Sequence, residues 1–255
     1  MANARPFHLL WTVLILSALV GSFVPGAAAQ NATPTSSSTG KSVEWASFDV
    51  DLDLRADGLL HVTERQDVAF HSGPFTSGFA TIPLCNVEGI DRVRVGEESM
   101  DGRVTPYTLV APNATTTTPN TYRVRTDAED VNVDWWFAST TDAERTFVLE
   151  YDVRGALRIS IDQGVRYGEI WWIAVDSDVT ATAPVRSATA SLRLPAPVDP
   201  DRVLLSPTGY LPSPSGDWSV WTWKRTNLAT GDQFTVRLRF PAITLPAPPA
   251  TPPSE

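Results

Sequence analysis

The pattern of hydrophobic and polar positions is clearest in residues 48–70, where two alternating segments flank a turn that contains Gly58. In the first segment Asp49, Asp51 and Asp53 alternate with four apolar residues, which is the two-residue period of a half-buried β-strand. A second alternating segment follows the turn, as expected of a β-hairpin. The pattern therefore predicts two antiparallel strands, each with one buried face.

Similar alternation recurs along the chain. It is found in residues 122–124, 131–137, 147–153, 188–194 and 234–240. Residues 169–175, EIWWIAV, are apolar at both odd and even positions. This predicts a strand whose two faces are both covered. No helix-length stretch with a 3.6-residue period follows the first 29 residues. We predict an all-β fold, an antiparallel β-sandwich, built as one large or two small sandwiches.

The two ends of the chain predict its organisation. Residues 1–29 combine Arg5, an apolar run and a final Ala-Ala-Ala, which indicates a signal peptide cleaved before Gln30. An uncleaved membrane anchor is the alternative, although the apolar run from Leu9 to Val24 is shorter than the roughly 20 residues that span a bilayer. We then expect a flexible Ser/Thr-rich linker over 30–42, the sandwich over 43–243 and a proline-rich tail over 244–255.

The composition narrows the classes of partner. Removal of the signal peptide takes away Arg5 and no acidic residue, so the formal charge falls from −9 to −10. A net negative charge argues against binding to nucleic acid or to anionic membranes, because both attract clusters of Lys and Arg. Cys85 is the only cysteine, so an intramolecular disulfide is excluded, and we expect its thiol to be a small packed apolar group.

Six segments in series carry a resemblance to a known family. They are FDVDLDLRADGLLHVTERQDVAF, FTSGFATIP, ERTFVLEYDVRGAL, EIWW, VRSATASLRLP and FTVRLRFP, and they cover roughly residues 43–243. Together they resemble the extracellular N-terminal domain of the YciQ-like predicted membrane proteins, the bacterial domain of unknown function family 2207. The resemblance implies a signal sequence, an exported β-rich domain and a following transmembrane helix, but no catalytic residues. Because the sequence stops at Glu255 without such a helix, we expect membrane anchorage only through a segment absent from this chain or an uncleaved signal.

Glu64 is the strongest candidate for a catalytic residue because it lies on the same face of its predicted strand as the apolar residues. A carboxylate on a core face must be paired or protonated. It is either a general acid with a raised pKa or a member of a structural ion pair with an arginine. We favour the ion pair and expect Arg92, Arg94 or Arg154 as the partner.

Other acidic pairs and rows do not form convincing sites. The row Asp49, Asp51, Asp53 superficially matches a calcium loop, but Arg55 and Val62 stand where that loop needs oxygen ligands. A solvated strand face explains the row better. Glu150 and Asp152 also lie two apart on a polar strand face, and nothing indicates a cleft between them. We predict no metal site and no cofactor.

Tryptophan is abundant, with eight residues after the signal peptide. Trp221 and Trp223 share one face of a strand, and Trp136 lies on the polar face of another. These three are the candidate binding residues, because exposed aromatic rings stack on sugars. The competing interpretation is that the tryptophans pack the core.

The sequence therefore favours an exported, non-enzymatic module that binds at the cell envelope, with an unidentified envelope protein or a glycan as partner. A polysaccharide-binding module that uses surface tryptophans is the first alternative. A hydrolase that uses Glu64 with a second carboxylate is the other.

Overall fold

The computed structural model describes residues 40–205 and 211–242. Within these residues the chain forms sixteen strands, one α-helix and one 3₁₀ turn. The strands are β1 (Ser42–Leu54), β2 (Leu60–His71), β3 (Phe75–Pro83), β4 (Gly89–Glu98), β5 (Val104–Pro106), β6 (Thr108–Val110), β7 (Thr121–Thr126), β8 (Asp130–Thr140), β9 (Ala143–Arg154), β10 (Arg158–Asp162), β11 (Val165–Val175), β12 (Val185–Arg193), β13 (Leu204–Leu205), β14 (Ser213–Pro214), β15 (Val220–Leu228) and β16 (Phe234–Pro241). Helix α1 spans Ser177–Thr182, and the 3₁₀ turn spans Pro200–Arg202.

These strands form three sheets. The large sheet has eight strands in the order β14-β15-β12-β1-β2-β9-β4-β5. The β8 sheet has the order β3-β8-β7-β6, and the β11 sheet has the order β10-β11-β16-β13. The predicted hairpin is β1 and β2, in which Asp51 pairs with Thr63 and Leu52 pairs with Val62.

Both small sheets pack on the inner face of the large sheet. Phe147 of β9 contacts Trp135 of the β8 sheet, with ring centroids 5.6 Å apart. Four residues further along β9, Tyr151 contacts Trp172 of the β11 sheet at 6.5 Å. One continuous cluster of buried apolar residues joins all three sheets. The all-β sandwich is confirmed, and the described residues form one large sandwich rather than two small ones.

The strand pairing differs from a fully antiparallel sandwich at two places. β1 pairs with β12 in parallel, with Val50 opposite Ala190, and β6 pairs with β7 in parallel. β1 can take a parallel neighbour because its hairpin partner β2 occupies only one of its two edges. The remaining pairs are antiparallel, as predicted.

Helix α1 was not predicted, because its six residues are too few to show a helical repeat. Asp176 caps it by accepting a hydrogen bond from the Asp178 backbone N–H at 2.9 Å. Among the residues that the structure describes, no helix is long and apolar enough to cross a membrane.

Several predictions fall on the ends of the chain. The signal peptide over 1–29, most of the linker and the tail over 244–255 lie outside the described residues. The end of the predicted linker is described, and its last residue, Ser42, already begins β1.

Candidate functional site

The outward face of the β8 sheet carries a groove of about 350 Å³, which we call the Trp136 groove. Strand alternation places its side chains, because every second residue of β3, β7 and β8 points away from the core. The groove is lined by Ser77, Gly78, Phe79 and Ala80 of β3, Arg123 and Arg125 of β7, and Asn132, Asp134 and Trp136 of β8.

The strand register arranges these side chains in rungs across the sheet. Trp136 lies opposite Ser77, and Asp134 lies between Phe79 and Arg123. Asn132 forms the next rung, opposite Arg125. Aromatic side chains and charged side chains therefore occupy the same face.

Gly78 keeps the sheet close to the core beneath the groove. A Cβ atom at this position would lie 2.6 Å from the Trp135 ring, so only glycine lets that ring pack against the strand. Ala80, the next inward residue of β3, is also small, whereas Ser77 and Phe79 point outward into the groove.

A single carboxylate oxygen holds the two arginines of the groove. Asp134 Oδ2 accepts hydrogen bonds from Arg123 Nε at 3.1 Å and from Arg123 Nη2 at 2.9 Å. It also accepts one from Arg125 Nη2 at 2.9 Å. Arg123 Nη1 donates to the Ala114 carbonyl at 2.7 Å. Arg123 is thus fixed on several sides, whereas half of the Arg125 side chain is exposed.

The Arg123 guanidinium also covers part of the Trp136 ring. Its central carbon lies 5.3 Å from the ring centroid, which is the range of a cation–π contact. Trp136 is partly exposed, as predicted from its position on the polar face of β8. The arrangement presents an oriented aromatic ring and guanidinium groups to a ligand.

Trp221 and Trp223 do not form a surface platform. Each is 2 % exposed, so the prediction that they bind a ligand together with Trp136 is wrong. They share a face, as the sequence indicated, but it is the inner face of the large sheet. There Trp223 lies opposite Ala190 and Trp221 opposite Leu192, where small and apolar neighbours leave room for the rings.

Trp171 is an exposed tryptophan that the sequence interpretation missed. Its side chain is 52 % exposed on the outward face of β11, so this strand is not covered on both sides as predicted. Glu169 has the same parity, and its charge was the signal that this face meets water. Cys85 lies beside Trp171 at a small cavity of about 60 Å³ and is exposed, so the expected packed thiol is also wrong. The thiol lies in the turn after β3, where little of the core covers it.

Glu64 is buried, as its parity predicted, but it has no ion pair with an arginine in the described residues. Tyr151 Oη donates a hydrogen bond to Glu64 Oε1 at 2.6 Å, and Gln66 Nε2 donates to Oε2 at 3.1 Å. Burial raises the pKa of Glu64 to about 7, although both hydrogen bonds act in the opposite direction. The predicted ion pair is wrong because Glu64 points into the core.

The three arginines expected near Glu64 bind other carboxylates. Arg154 contacts Asp91, and Arg94 approaches Glu150 at 4.0 Å. Arg92 contacts the buried Asp152, which also accepts a hydrogen bond from His61 Nδ1 at 2.7 Å. Glu150 and Asp152 therefore belong to separate ion pairs.

The predicted row of aspartates lies on the outward face of β1. Asp49 and Asp53 are partly exposed and Asp51 is exposed, as expected of a solvated strand face. Among the residues described by the structure, no group of three or more histidine, cysteine, aspartate or glutamate side chains can hold a metal ion.

Comparison with protein families identifies the family of this chain. The model of the family described as "Predicted membrane protein (DUF2207) N-terminal domain" matches residues 44–240. This range begins in β1 and ends in β16, so it includes all three sheets. No curated protein sequence matches the chain.

Solved structures give only distant similarities. A candidate protease from Parabacteroides distasonis is 10 % identical with a TM-score of 0.42, over 77 % of this chain and 40 % of that one. An M1 zinc metallopeptidase from Deinococcus radiodurans is 10 % identical with a TM-score of 0.37, over 78 % of this chain and 42 % of that one. The chain thus spans about two fifths of the length of these structures. At TM-scores this low, neither similarity supports an inference about activity.

Proposed function

We propose that this chain is an exported module that acts by binding at the cell envelope. The chain belongs to the DUF2207 family, which is the N-terminal domain of predicted membrane proteins. The Trp136 groove is the observation that carries the proposal. A concave surface lined by an aromatic ring and a few oriented polar groups is the usual form of a ligand site. The groove has this form on the outward face of the four-stranded β8 sheet.

The chemical state of the acidic side chains supports binding rather than catalysis. A general acid or base must reach the substrate proton directly or through one water. Glu64 is enclosed by Tyr151 and Gln66 in the core, and Asp134 is held by two arginines. Neither carboxylate is placed to transfer a proton to a molecule in the groove.

A polysaccharide is the ligand class that the groove favours, because a partly exposed tryptophan offers a flat apolar surface to a sugar ring. Trp136 provides this surface, with Phe79 on the neighbouring strand. Trp221 and Trp223 play no part in this proposal. A protein partner at the envelope remains the alternative to a glycan.

The test is binding of the full chain to isolated envelope polysaccharide, measured by co-sedimentation and by tryptophan fluorescence. Trp136→Ala is expected to weaken binding about fivefold or more, since removal of a stacking ring costs about 1–3 kcal/mol. Trp171→Ala is the matched control, because it removes an exposed tryptophan from the other small sheet. Equal affinity of Trp136→Ala and the unmodified chain would exclude the groove as the site.

The hydrolase alternative is tested separately with Glu64→Gln. If the chain cleaves a glycan and this variant loses the activity while it remains folded, the binding proposal is replaced by an enzymatic one. A variant that merely unfolds assigns a structural role to Glu64.

A further inference from the structure

The balance of charge in the Trp136 groove identifies the class of glycan that fits it. Two guanidinium groups line the groove, and Asp134 is the only carboxylate among the described residues that line it. Both arginines bind the same oxygen of that carboxylate. One positive charge of the groove therefore has no carboxylate of its own.

On the β11 sheet, by comparison, two outward arginines each bind a carboxylate of their own. Arg237 Nη2 donates to Glu169 Oε2 at 2.8 Å, and Arg239 Nη2 lies 3.2 Å from Asp162 Oδ2. In the groove the two arginines share one carboxylate. This leaves a local excess of positive charge in a chain whose formal charge is −9.

Asp127 is an acidic residue beyond the groove, in the turn between β7 and β8. Its carboxylate accepts hydrogen bonds from the backbone N–H groups of Glu129 and Asp130, both at 2.9 Å. It also accepts one from Asn132 at 3.3 Å. These hydrogen bonds hold the Asp127 carboxylate in the turn. Its attraction to Arg125 is therefore electrostatic and leaves the N–H donors of the Arg125 guanidinium available to the groove.

From these observations we propose that the groove binds an oligosaccharide that carries acidic groups, either carboxylate or phosphate. The sugar ring stacks on Trp136, and an acidic group accepts hydrogen bonds from the exposed part of Arg125. Guanidinium groups suit this role because their planar array of N–H donors matches carboxylate and phosphate oxygens. The proposal rests on the proposed function and adds the chemical class of the ligand.

The two proposed contacts lie close enough for one short oligosaccharide. Arg125 pairs with Asn132, four residues from Trp136 along β8, so at about 3.3 Å per residue the backbone positions are roughly 13 Å apart. The Arg125 side chain shortens this distance, because its guanidinium binds Asp134, only two residues from Trp136. The acidic group can therefore lie on the stacked ring or on a neighbouring ring.

The test separates the acidic charge from the sugar ring. Trigalacturonate is titrated into the full chain by calorimetry, beside its fully methyl-esterified form, a glycerol phosphate oligomer and triglutamate. We expect trigalacturonate to bind at least tenfold more tightly than the neutral ester, with affinity falling as salt rises from 20 to 200 mM. It should also bind more tightly than the glycerol phosphate oligomer and triglutamate, which have no sugar ring to stack on Trp136. Arg125→Gln should remove most of the preference for the acid over its ester, because a hydrogen bond between charged partners is worth about tenfold or more in affinity.

Arg237→Gln is the matched control, since it removes an exposed arginine from the β11 sheet and should leave binding unchanged. Urea unfolding of both variants establishes that the fold is retained. Equal affinity for the acid and its ester, or unchanged binding by Arg125→Gln, overturns the acidic ligand while leaving the Trp136 groove as a neutral glycan site. Tighter binding of triglutamate than of any saccharide replaces the glycan by an acidic peptide. No binding of any probe, together with unchanged envelope binding by Trp136→Ala, overturns the proposed function as well.

Discussion

Replacement of Glu64 by glutamine should make the stability of the fold less sensitive to a rise in pH from 4.5 to 7. Glu64 is 3 % exposed and accepts hydrogen bonds from Tyr151 and Gln66. Gln66 Oε1, by contrast, is buried without a partner among the described residues. A protonated Glu64 can donate to such an oxygen once the Gln66 amide is turned, and a carboxylate cannot. Burial therefore favours the neutral acid, and it outweighs the hydrogen bonds from Tyr151 and Gln66, which favour the carboxylate.

The magnitude follows from the pKa of Glu64, which burial raises from the ordinary value of 4.5 to about 7. Below pH 4.5 the group is protonated in the folded and the unfolded chain alike. Between pH 4.5 and 7 the unfolded chain releases the proton and the folded chain keeps it, so the free energy of unfolding falls as the pH rises. At about 1.4 kcal/mol per pH unit, the loss across this window is about 3 kcal/mol.

The assay is urea unfolding of the full chain and of Glu64→Gln between pH 4.5 and 8, followed by tryptophan fluorescence. The glutamine keeps the size and the acceptor oxygen of the side chain but cannot ionise. We expect the stability of Glu64→Gln relative to the unmodified chain to rise by about 3 kcal/mol across the range. The difference between the two proteins isolates Glu64, because every other titrating group is common to both.

Glu150→Gln is the matched control, since it makes the same change on the outward face of β9, where the side chain is 37 % exposed. It reports what the loss of one carboxylate does outside the core. If the difference between Glu64→Gln and the unmodified chain stays constant within about 0.5 kcal/mol from pH 4.5 to 8, the argument from burial is refuted.

Three further predictions concern packing and exposure. Gly78→Ala should lower the free energy of unfolding by about 1–3 kcal/mol, because its Cβ would lie 2.6 Å from a buried tryptophan ring; urea unfolding measures this. Trp223→Ala should cost about 3–5 kcal/mol in the same assay, whereas Trp171→Ala should change stability by less than about 0.5 kcal/mol, because only the first ring is buried. Cys85 should react with one equivalent of a thiol reagent in the folded protein, and faster as the pH rises, because the thiol is exposed while partial burial raises its pKa. A reaction that requires urea would contradict that exposure.

Local alternation was sufficient to predict which residues share a face. Asp49 and Asp53 point outward and Val50 points inward, as their order in the sequence requires. The same logic placed Glu64 in the core. These predictions depend only on the two-residue period of a strand, which is set by the backbone and not by distant parts of the chain.

The contacts between elements were not predictable in this way. Trp221 and Trp223 were correctly assigned to one face, but parity does not say whether a face meets another sheet or water. That depends on the position of β15 in the sheet order, which its own sequence does not contain. Trp171 was misjudged for the related reason that an apolar run does not reveal how many of its sides are covered.

The partners of charged residues were the least predictable feature of the candidate site. Arginine–carboxylate pairs join residues far apart in sequence, such as Arg145 with Glu97, so the register of several strands must be known first. The groove depends on the same information. Arg123 and Trp136 stand on adjacent strands, and their contact follows from the β7–β8 register.

The buried carboxylate and the groove occupy different parts of the sandwich, and this separation makes their roles testable one at a time. Glu64 pairs with Leu149, midway along β9 between Phe147, which contacts the β8 sheet, and Tyr151, which contacts the β11 sheet. It therefore lies where the inner face passes from one small sheet to the other, and its bonds come from the large sheet itself. Trp136 lies on the outward side of the β8 sheet, whereas its neighbour Trp135 points into the core. A change of binding in a Trp136 variant of unaltered stability hence reports on the groove, whereas a change of pH-dependent stability in a Glu64 variant reports on the core.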